Sequence, residues 1–578
     1  MNKNLKYCLF SLGLILALLV SGLAVRTIAR AQEGNQNGTS AYSPLVSSGS
    51  TTQSSGIDIG EAAVRDGQII TRVLARGGPL HGANGLYFGP DGYLYIASVF
   101  GGGITAMDPD SGHIVRQIVL QDGLDGPDDL TFGPDGTLYW TAITTGKVGK
   151  MTPDGTQSMV AQLPLGVNPI TFSDDGRLFT ALDFLGDGLY EIYLDGTPPR
   201  LIIPNLGWLN GFDFGLDGYL YGPLIQPAKV VKINVDTGEM LDVVTDVWGT
   251  AAVKFGPDGM MYFINQPTGE VKRMDLDSGE IELITILPNS LDNLAFDAKG
   301  RLFVSSAEDG FIVEVMQNGE VRPVSPGGMI APGGVAVLSD ARGRDNVFVG
   351  DLWVLRQIDG QTGRQMYVER GDMDAVHTVA ADGTNLIVSS FMNNAVHLYD
   401  PSSRSLIDTR LDFYGPINAI RFQGDLIVSE IGTGMVVRSS GPGDRQVLAT
   451  LAIPLGLAAT DNDLWVADWI LGSVFQLVQD GNPVMITLAS GLVEPEGLAV
   501  LPDGNLLVVE AGAGRVSLID SETGMVTPFV DGLELGGMHL SGLPPFLIFN
   551  GIAVSQQTGA IYVSGDEANK LYRIDQRP

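Results

Sequence analysis

The sequence predicts an all-β fold: two six-bladed β-propellers, twelve four-stranded repeats in all, behind a signal peptide and a linker. Three observations carry this. Turn glycines recur at Gly92, Gly136, Gly176, Gly218, Gly259 and Gly300, with separations of 44, 40, 42, 41 and 41 residues. A fixed period of that size marks a repeat architecture. Each period holds short apolar runs divided by turns, with no helical spacing. The composition agrees, since 44% hydrophobic residues, 76 glycines and only 17% charged residues make a turn-rich chain with apolar surface enough for large cores.

One period shows the blade. Leu130-Thr131-Phe132 is a short strand, and Gly133-Pro134-Asp135-Gly136 turns it. Pro fixes φ in such a turn and Gly supplies a positive φ. Residues 137–140 return, 146–151 form a third strand, Pro153-Asp154-Gly155 turns again, and 158–161 form a fourth. A blade of this kind cannot bury both faces alone, so blades stack in a ring.

From the N-terminus, Lys3 and Lys6 precede an apolar run over residues 8–25, and Ala29-Arg30-Ala31 follows. This predicts a signal peptide over residues 1–31, cut after Ala31. The alternative is an uncleaved anchor, because 18 residues stand near the lower limit for a membrane span. Cys8 is the only cysteine, so the mature chain has no disulfide. Export without cysteine suits a bacterial periplasm or the exterior. Residues 32–64, rich in Gly, Ser, Thr, Asn and Gln, read as a flexible linker that includes the sequon Asn37-Gly38-Thr39.

The repeats begin next. First strands start at Asn84, Asp128, Asn168, Asn210, Ala251 and Asp292, then at Gly333, His377, Asn418, Leu455, Glu496 and Asn550. Rings have about four to eight blades, so twelve repeats make two rings of six. The first ring spans 81–328 and the second 329–578, divided at Ser325-Pro326-Gly327-Gly328. Turns in the second set are degenerate, as in Gln423-Gly424-Asp425, so the halves have diverged. The last repeat shows only three strands before the chain ends. Residues 65–80 hold the candidate fourth, over 68–75, which covers an open edge of the last blade.

The net charge is −32, and loss of Lys3, Lys6, Arg26 and Arg30 with the leader takes it to about −36. That excludes nucleic acid and anionic membrane as partners. A small-molecule ligand or a protein partner is expected, with no membrane contact once the leader is cut.

In a propeller the first strand of each blade lines the channel, so its first residue marks one mouth. In the first ring that place holds Asn84, Asp128, Asn168, Asn210, Ala251 and Asp292, with Asn293 alongside. Oxygen ligands converging on an axis, two of them carboxylates, suit a hard cation such as calcium. Buried without a cation, the carboxylates would repel. Asn84-Gly85 and Asn210-Gly211 also read as simple turn residues. The second ring offers His377, Asn418, Glu496 and Asn550 as a second candidate site. Its second strands end at Asp351, Ser390, Glu430, Asp468, Glu510 and Asp566, read as acceptors for backbone N–H groups or as general bases. The loop from Asp531 to Phe549 is long and apolar and carries His539. It reads either as a lid or as packing between the rings.

Repeats such as Asn84-Gly85-Leu86-Tyr87-Phe88-Gly89-Pro90-Asp91-Gly92 and Pro495-Glu496-Gly497-Leu498 resemble the senescence-marker-protein/gluconolactonase superfamily, with NHL-like repeats. Leu291-Asp292-Asn293-Leu294 resembles a calcium-binding segment of the paraoxonases in the same superfamily. The resemblance implies six-bladed propellers, calcium at Asp292, Asn293, Asn210 and Asp128, and lactone hydrolysis. Asn84 stands where the family usually has a carboxylate, and His81 lies off the ring position. The expected function is an exported calcium-dependent hydrolase of small lactones or esters, its catalytic residues unassigned. The alternatives are a non-catalytic propeller scaffold and a streptogramin-lyase-like enzyme.

Overall fold

The architecture follows from how one blade is sandwiched between two others. Second strands such as Leu94–Ser98 and Leu178–Leu182 are buried along their whole length, because both faces meet a neighbouring blade. Fourth strands such as Ile281–Ile286 lie at the rim and stay largely exposed. The computed structural model describes residues 69–576 apart from 372, 374, 538, 542, 543 and 545–548. The leader, the linker and Gln68 lie outside the described residues.

Twelve four-stranded antiparallel sheets form. The inner strand of the sixth blade, Leu291–Phe296, lies beside that of the first, Leu86–Phe88. The inner strand of the twelfth, Ile552–Val554, lies beside that of the seventh, Pro332–Ser339. The chain is therefore two closed six-bladed propellers. Each core cluster joins adjacent blades, as where Ile264 and Val271 of the fifth meet Leu294 and Val304 of the sixth. The repeated turns are as the spacing required: Gly92 has φ 81° and Gly300 φ 77°. A Cβ on Gly92 would meet nothing within 4 Å, so backbone conformation and not space selects glycine there. The turn aspartate braces its own blade, with Tyr95, Tyr221 and Tyr262 donating to Asp91, Asp217 and Asp258 at 2.8–2.9 Å.

One local device matters for the channel. The ladder between first and second strands slips at Pro127/Leu130, Val167/Ile170, Leu291/Leu294 and Pro495/Leu498. The residues left unpaired are Asp128-Asp129, Asn168-Pro169, Asp292-Asn293 and Glu496-Gly497. A bulge re-aims side chains and frees backbone groups. Hydroxyls of the second strands capture those groups. Thr141 Oγ1 accepts from Asp129 N at 3.0 Å and donates to Asn168 O of the next blade at 2.6 Å. Ser305 Oγ accepts from Asn293 N at 3.0 Å and donates to Asn84 O at 2.8 Å, across the closure of the first ring. Ser564 links Gly551 N and Gly333 O in the same way across the closure of the second.

The strand Ile69–Arg76 pairs antiparallel with Lys570–Gln576 and is the outer strand of the twelfth blade. The chain then crosses to the first blade. The first ring is thus inserted between the closing strand of the second ring and the remainder of it. The rings meet through loops at the mouths where inner strands begin. Arg356 of the second ring, 1% exposed at its side chain, binds Asp351 at 2.5 Å and Asp309 of the first ring at 2.8 Å. Phe100 packs edge-on against Trp353, with ring centroids 5.9 Å apart.

Candidate functional site

Four of the anticipated residues stand at the mouth of the first ring, Asp128, Asn168 and Asp292 on bulges and Asn84 outside one, and two bond elsewhere. Asp128 and Asn168 are buried there, and Asp292 is half-buried. Asn84 lies beside the Asp292 carboxyl and favours its charged form, and its Oδ1 accepts from Val99 N at 3.2 Å. A third carboxylate, Asp183, joins them, 0% exposed. Asn168 Nδ2 donates to Asp183 Oδ2 at 2.9 Å, while Asp183 Oδ1 is buried with no hydrogen-bond partner.

Electrostatics tie these groups to one another. Burial, and after it the charges of Asp292 and Asp183, push the Asp128 carboxyl well above its ordinary value. Burial and the Asp292 charge likewise raise Asp183, against the hydrogen bond from Asn168. Asp292 is pushed up to about 7 by burial and by Asp129. The Asp292 charge acts on both Asp128 and Asp183, so the three carboxylates are near neighbours. As they stand, no three acidic or histidine side chains among the described residues are grouped closely enough to grip a metal ion.

Two anticipated ligands differ. Asn293 points into the layer beneath the mouth: its Nδ2 donates to Asp129 Oδ1 at 3.2 Å and its Oδ1 accepts from Leu294 N at 2.8 Å. The bulge sends successive side chains of the pair to different places. Asn210 Oδ1 accepts from its own Gly211 N at 2.8 Å, the turn role open to any Asn-Gly pair. Asp183 lies outside the first-strand positions, at the end of a second strand, the station that carries acids in the second ring. The same station, applied to Leu178–Leu182, points to it.

The second ring is built differently. An apolar plug that includes Ile417, Leu455, Trp469 and Phe549 closes its mouth, with Phe100 of the first ring packed against it. Asn418 accepts from Leu457 N at 3.0 Å and donates to Thr378 Oγ1 at 3.2 Å, so it joins three blades. Glu496 Oε2 accepts from Asn550 N at 2.6 Å, and Asn550 Oδ1 accepts from Gly536 N at 2.9 Å. Burial and the Asp566 charge push the Glu496 carboxyl well up. His377 Nδ1 lies 2.7 Å from Ala375 O. The acids ending the second strands are structural acceptors: Asp468 takes Ala452 N, Ile453 N and Leu471 N at 2.8–2.9 Å, and Asp351 takes Ile330 N and Ala331 N at 2.7–3.2 Å.

The loop after Asp531 reaches the first ring. Ser541 N donates to Asp125 Oδ2 at 2.7 Å, Ser541 Oγ accepts from Gly123 N at 2.8 Å, and Ser541 O accepts from Thr144 Oγ1 at 2.9 Å. Leu540 is buried and His539 is exposed. Through Ser541 the described part of this loop packs between the rings. Among the described residues no helix is long and apolar enough to cross a membrane.

No protein-family model matches the chain, and no curated protein does. Solved structures show distant likeness. A streptogramin B lyase is 19% identical over 49% of this chain and 94% of its own, with a TM-score of 0.37. A protein assigned as a gluconolactonase is 17% identical over 45% of this chain and 94% of its own, with a TM-score of 0.35. The extracellular domain of a one-component system from B. thetaiotaomicron is 12% identical over 89% of this chain and 79% of its own, with a TM-score of 0.30. At these values no activity passes to this chain, and its fold rests on its own twelve sheets.

Proposed function

We propose that the protein is an exported, calcium-dependent hydrolase of small lactones or esters, acting at the mouth of the first ring. The observation behind this is the meeting of Asp128, Asp183 and Asp292 at one mouth, with Asp128 and Asp183 buried and both raised by the Asp292 charge. The donor set is oxygen only, which suits a hard cation. Asp183 Oδ1, buried without a partner, is the group most in need of one. Asn168 already holds Asp183 by a hydrogen bond and Asn84 lies beside Asp292, and binding would draw the three carboxylates inward. Bound calcium would supply a Lewis acid that polarises a carbonyl oxygen.

The test is calcium titration of the purified protein with melting as the readout. Saturation at about 100 times Kd stabilises by about 2.7 kcal/mol, a shift of several degrees. Asp292→Asn and Asp183→Asn are expected to abolish that shift and the calcium-dependent turnover of lactone and aryl-ester substrates. An unchanged melting temperature with saturating calcium would refute the metal site. A shift without turnover across the panel would leave the non-catalytic scaffold as the reading.

A further inference from the structure

In the first ring the residue two places before each first-strand start has left-handed backbone. It is Gly82, Gly126, Gly166 and Gly249 at φ 68–89°, Ser290 at 80° and Trp208 at 64°. The position is also the same in its bonding. Trp208 O accepts from Ile225 N at 3.0 Å, as Gly249 O does from Gln266 N at 2.9 Å. Glycine adopts this conformation freely, whereas a bulky side chain there is strained. The turn therefore does not select tryptophan. A second strained aromatic stands against it. Phe184 follows Asp183 directly and has φ 52°. The two aromatic rings lie 5.5 Å apart between centroids. Asp187 fixes the arrangement by accepting from Leu206 N, Gly207 N and Trp208 N at 2.9–3.3 Å. Strain of this kind persists where the surrounding structure enforces it, and it clusters at ligand sites.

Phe184 is the second residue beyond its blade's second strand, Leu178–Leu182. Phe100 holds that place in the first blade, Thr144 in the second and Glu308 in the sixth. All three are engaged by the second ring. Phe100 packs on Trp353, Thr144 donates to Ser541 O, and Glu308 pairs with Arg370. Phe184, on the third blade, is 36% exposed, while Trp208 behind it is 6% exposed. The second ring thus covers the mouth on one side and leaves Phe184 on the other, one residue from Asp183.

We propose that Phe184, backed by Trp208, is the wall on which the substrate of the first-ring site lays an apolar ring. The inference rests on the hydrolase reading above and narrows it to lactones or esters carrying an aryl group. A phenyl ring pairs with such a wall edge-on or offset. The hydroxyls of a sugar lactone would lose water there and find no hydrogen-bond partner on a phenylalanine side chain.

The experiment uses the full chain in saturating calcium and two matched pairs of probes. γ-Phenyl-γ-butyrolactone and γ-butyrolactone report turnover. The corresponding lactams, γ-phenyl-γ-butyrolactam and γ-butyrolactam, report binding by calorimetric titration, independently of turnover. The phenyl member of each pair is expected to be favoured about tenfold, in kcat/KM for the lactones and in Kd for the lactams. Phe184→Ala is expected to equalise the members of each pair by raising KM and Kd for the phenyl member, and Phe184→Leu to restore part of the preference. An unchanged melting temperature verifies that these variants fold. No saturable binding of either lactam, equal affinities for the two in the wild type, or a preference that survives Phe184→Ala would each overturn the proposal. Preference for the phenyl lactam, lost in Phe184→Ala, without turnover of either lactone would overturn the hydrolase reading and leave the wall standing.

Discussion

At the scale of residues, the site depends less on the acids than on the bulges and hydroxyls that aim them. Ser305 shows this. Its Oγ serves Asn293 N of its own blade and Asn84 O of the first, next to two residues that frame Asp292. Ser305→Ala leaves a buried N–H and a buried carbonyl without that partner, each worth about 1–3 kcal/mol. We expect a lower melting temperature in thermal unfolding and weakened calcium binding, with Ser305→Thr restoring part of both. The acids themselves were partly legible in the sequence. Asp128 and Asp292 share a repeat position, and a repeat position is a position in space. Asn293 was not legible, because adjacency in sequence is lost where a bulge splits the pair. Asn210 was not, because Asn before Gly has a local partner ready to hand. Asp183 belongs to a different strand, and only pairing brings it beside Asn168.

At the scale of elements, the period of the turn glycines sufficed for blade number, since every period closes into one sheet. What no period conveys is how each ring is shut. The first ring closes by packing and by Ser305, with all strands of its first and sixth blades drawn from their own repeats. The second ring closes by a hydrogen-bonded ladder between the two ends of the chain, Ile69–Arg76 on Lys570–Gln576. Removing residues 69–76 would open an edge along Lys570–Gln576 and expose Tyr572 and Ile574, now buried in the last blade's core. We expect hydrogen exchange in that variant to lose protection in the twelfth and seventh blades while the first ring keeps its own. Equal loss in both rings would show that closure is shared.

At the scale of the whole molecule, the inserted first ring is held to the second by a buried ionic junction. Arg356 joins Asp351 of its own ring to Asp309 of the other, and Arg370 binds Asp309 and Glu308. Burial pushes the Asp309 carboxyl up, but the charges of Arg356 and Arg370 outweigh it and hold the pKa below its ordinary value. The sign follows. An acid with a depressed folded-state pKa binds fewer protons folded than unfolded. Its contribution is fully present above the unfolded value, about 3.9, and is lost as pH falls through the folded one. The junction should therefore hold from neutral pH down to about 4 and loosen below that. Arg356→Ala should produce the same loosening at neutral pH, because it strands the buried Asp351 carboxylate, at a cost of about 3–5 kcal/mol, and leaves Asp309 with Arg370 alone. Arg356→Ala combined with Asp351→Asn should recover part of that loss. Small-angle scattering at pH 7 and pH 3 checks this directly. The wild type is expected to expand only in acid, as the rings part before either unfolds, and the variant to be expanded already at pH 7. If acid unfolds the rings and the junction together, the two propellers are one cooperative unit and the insertion has fused them.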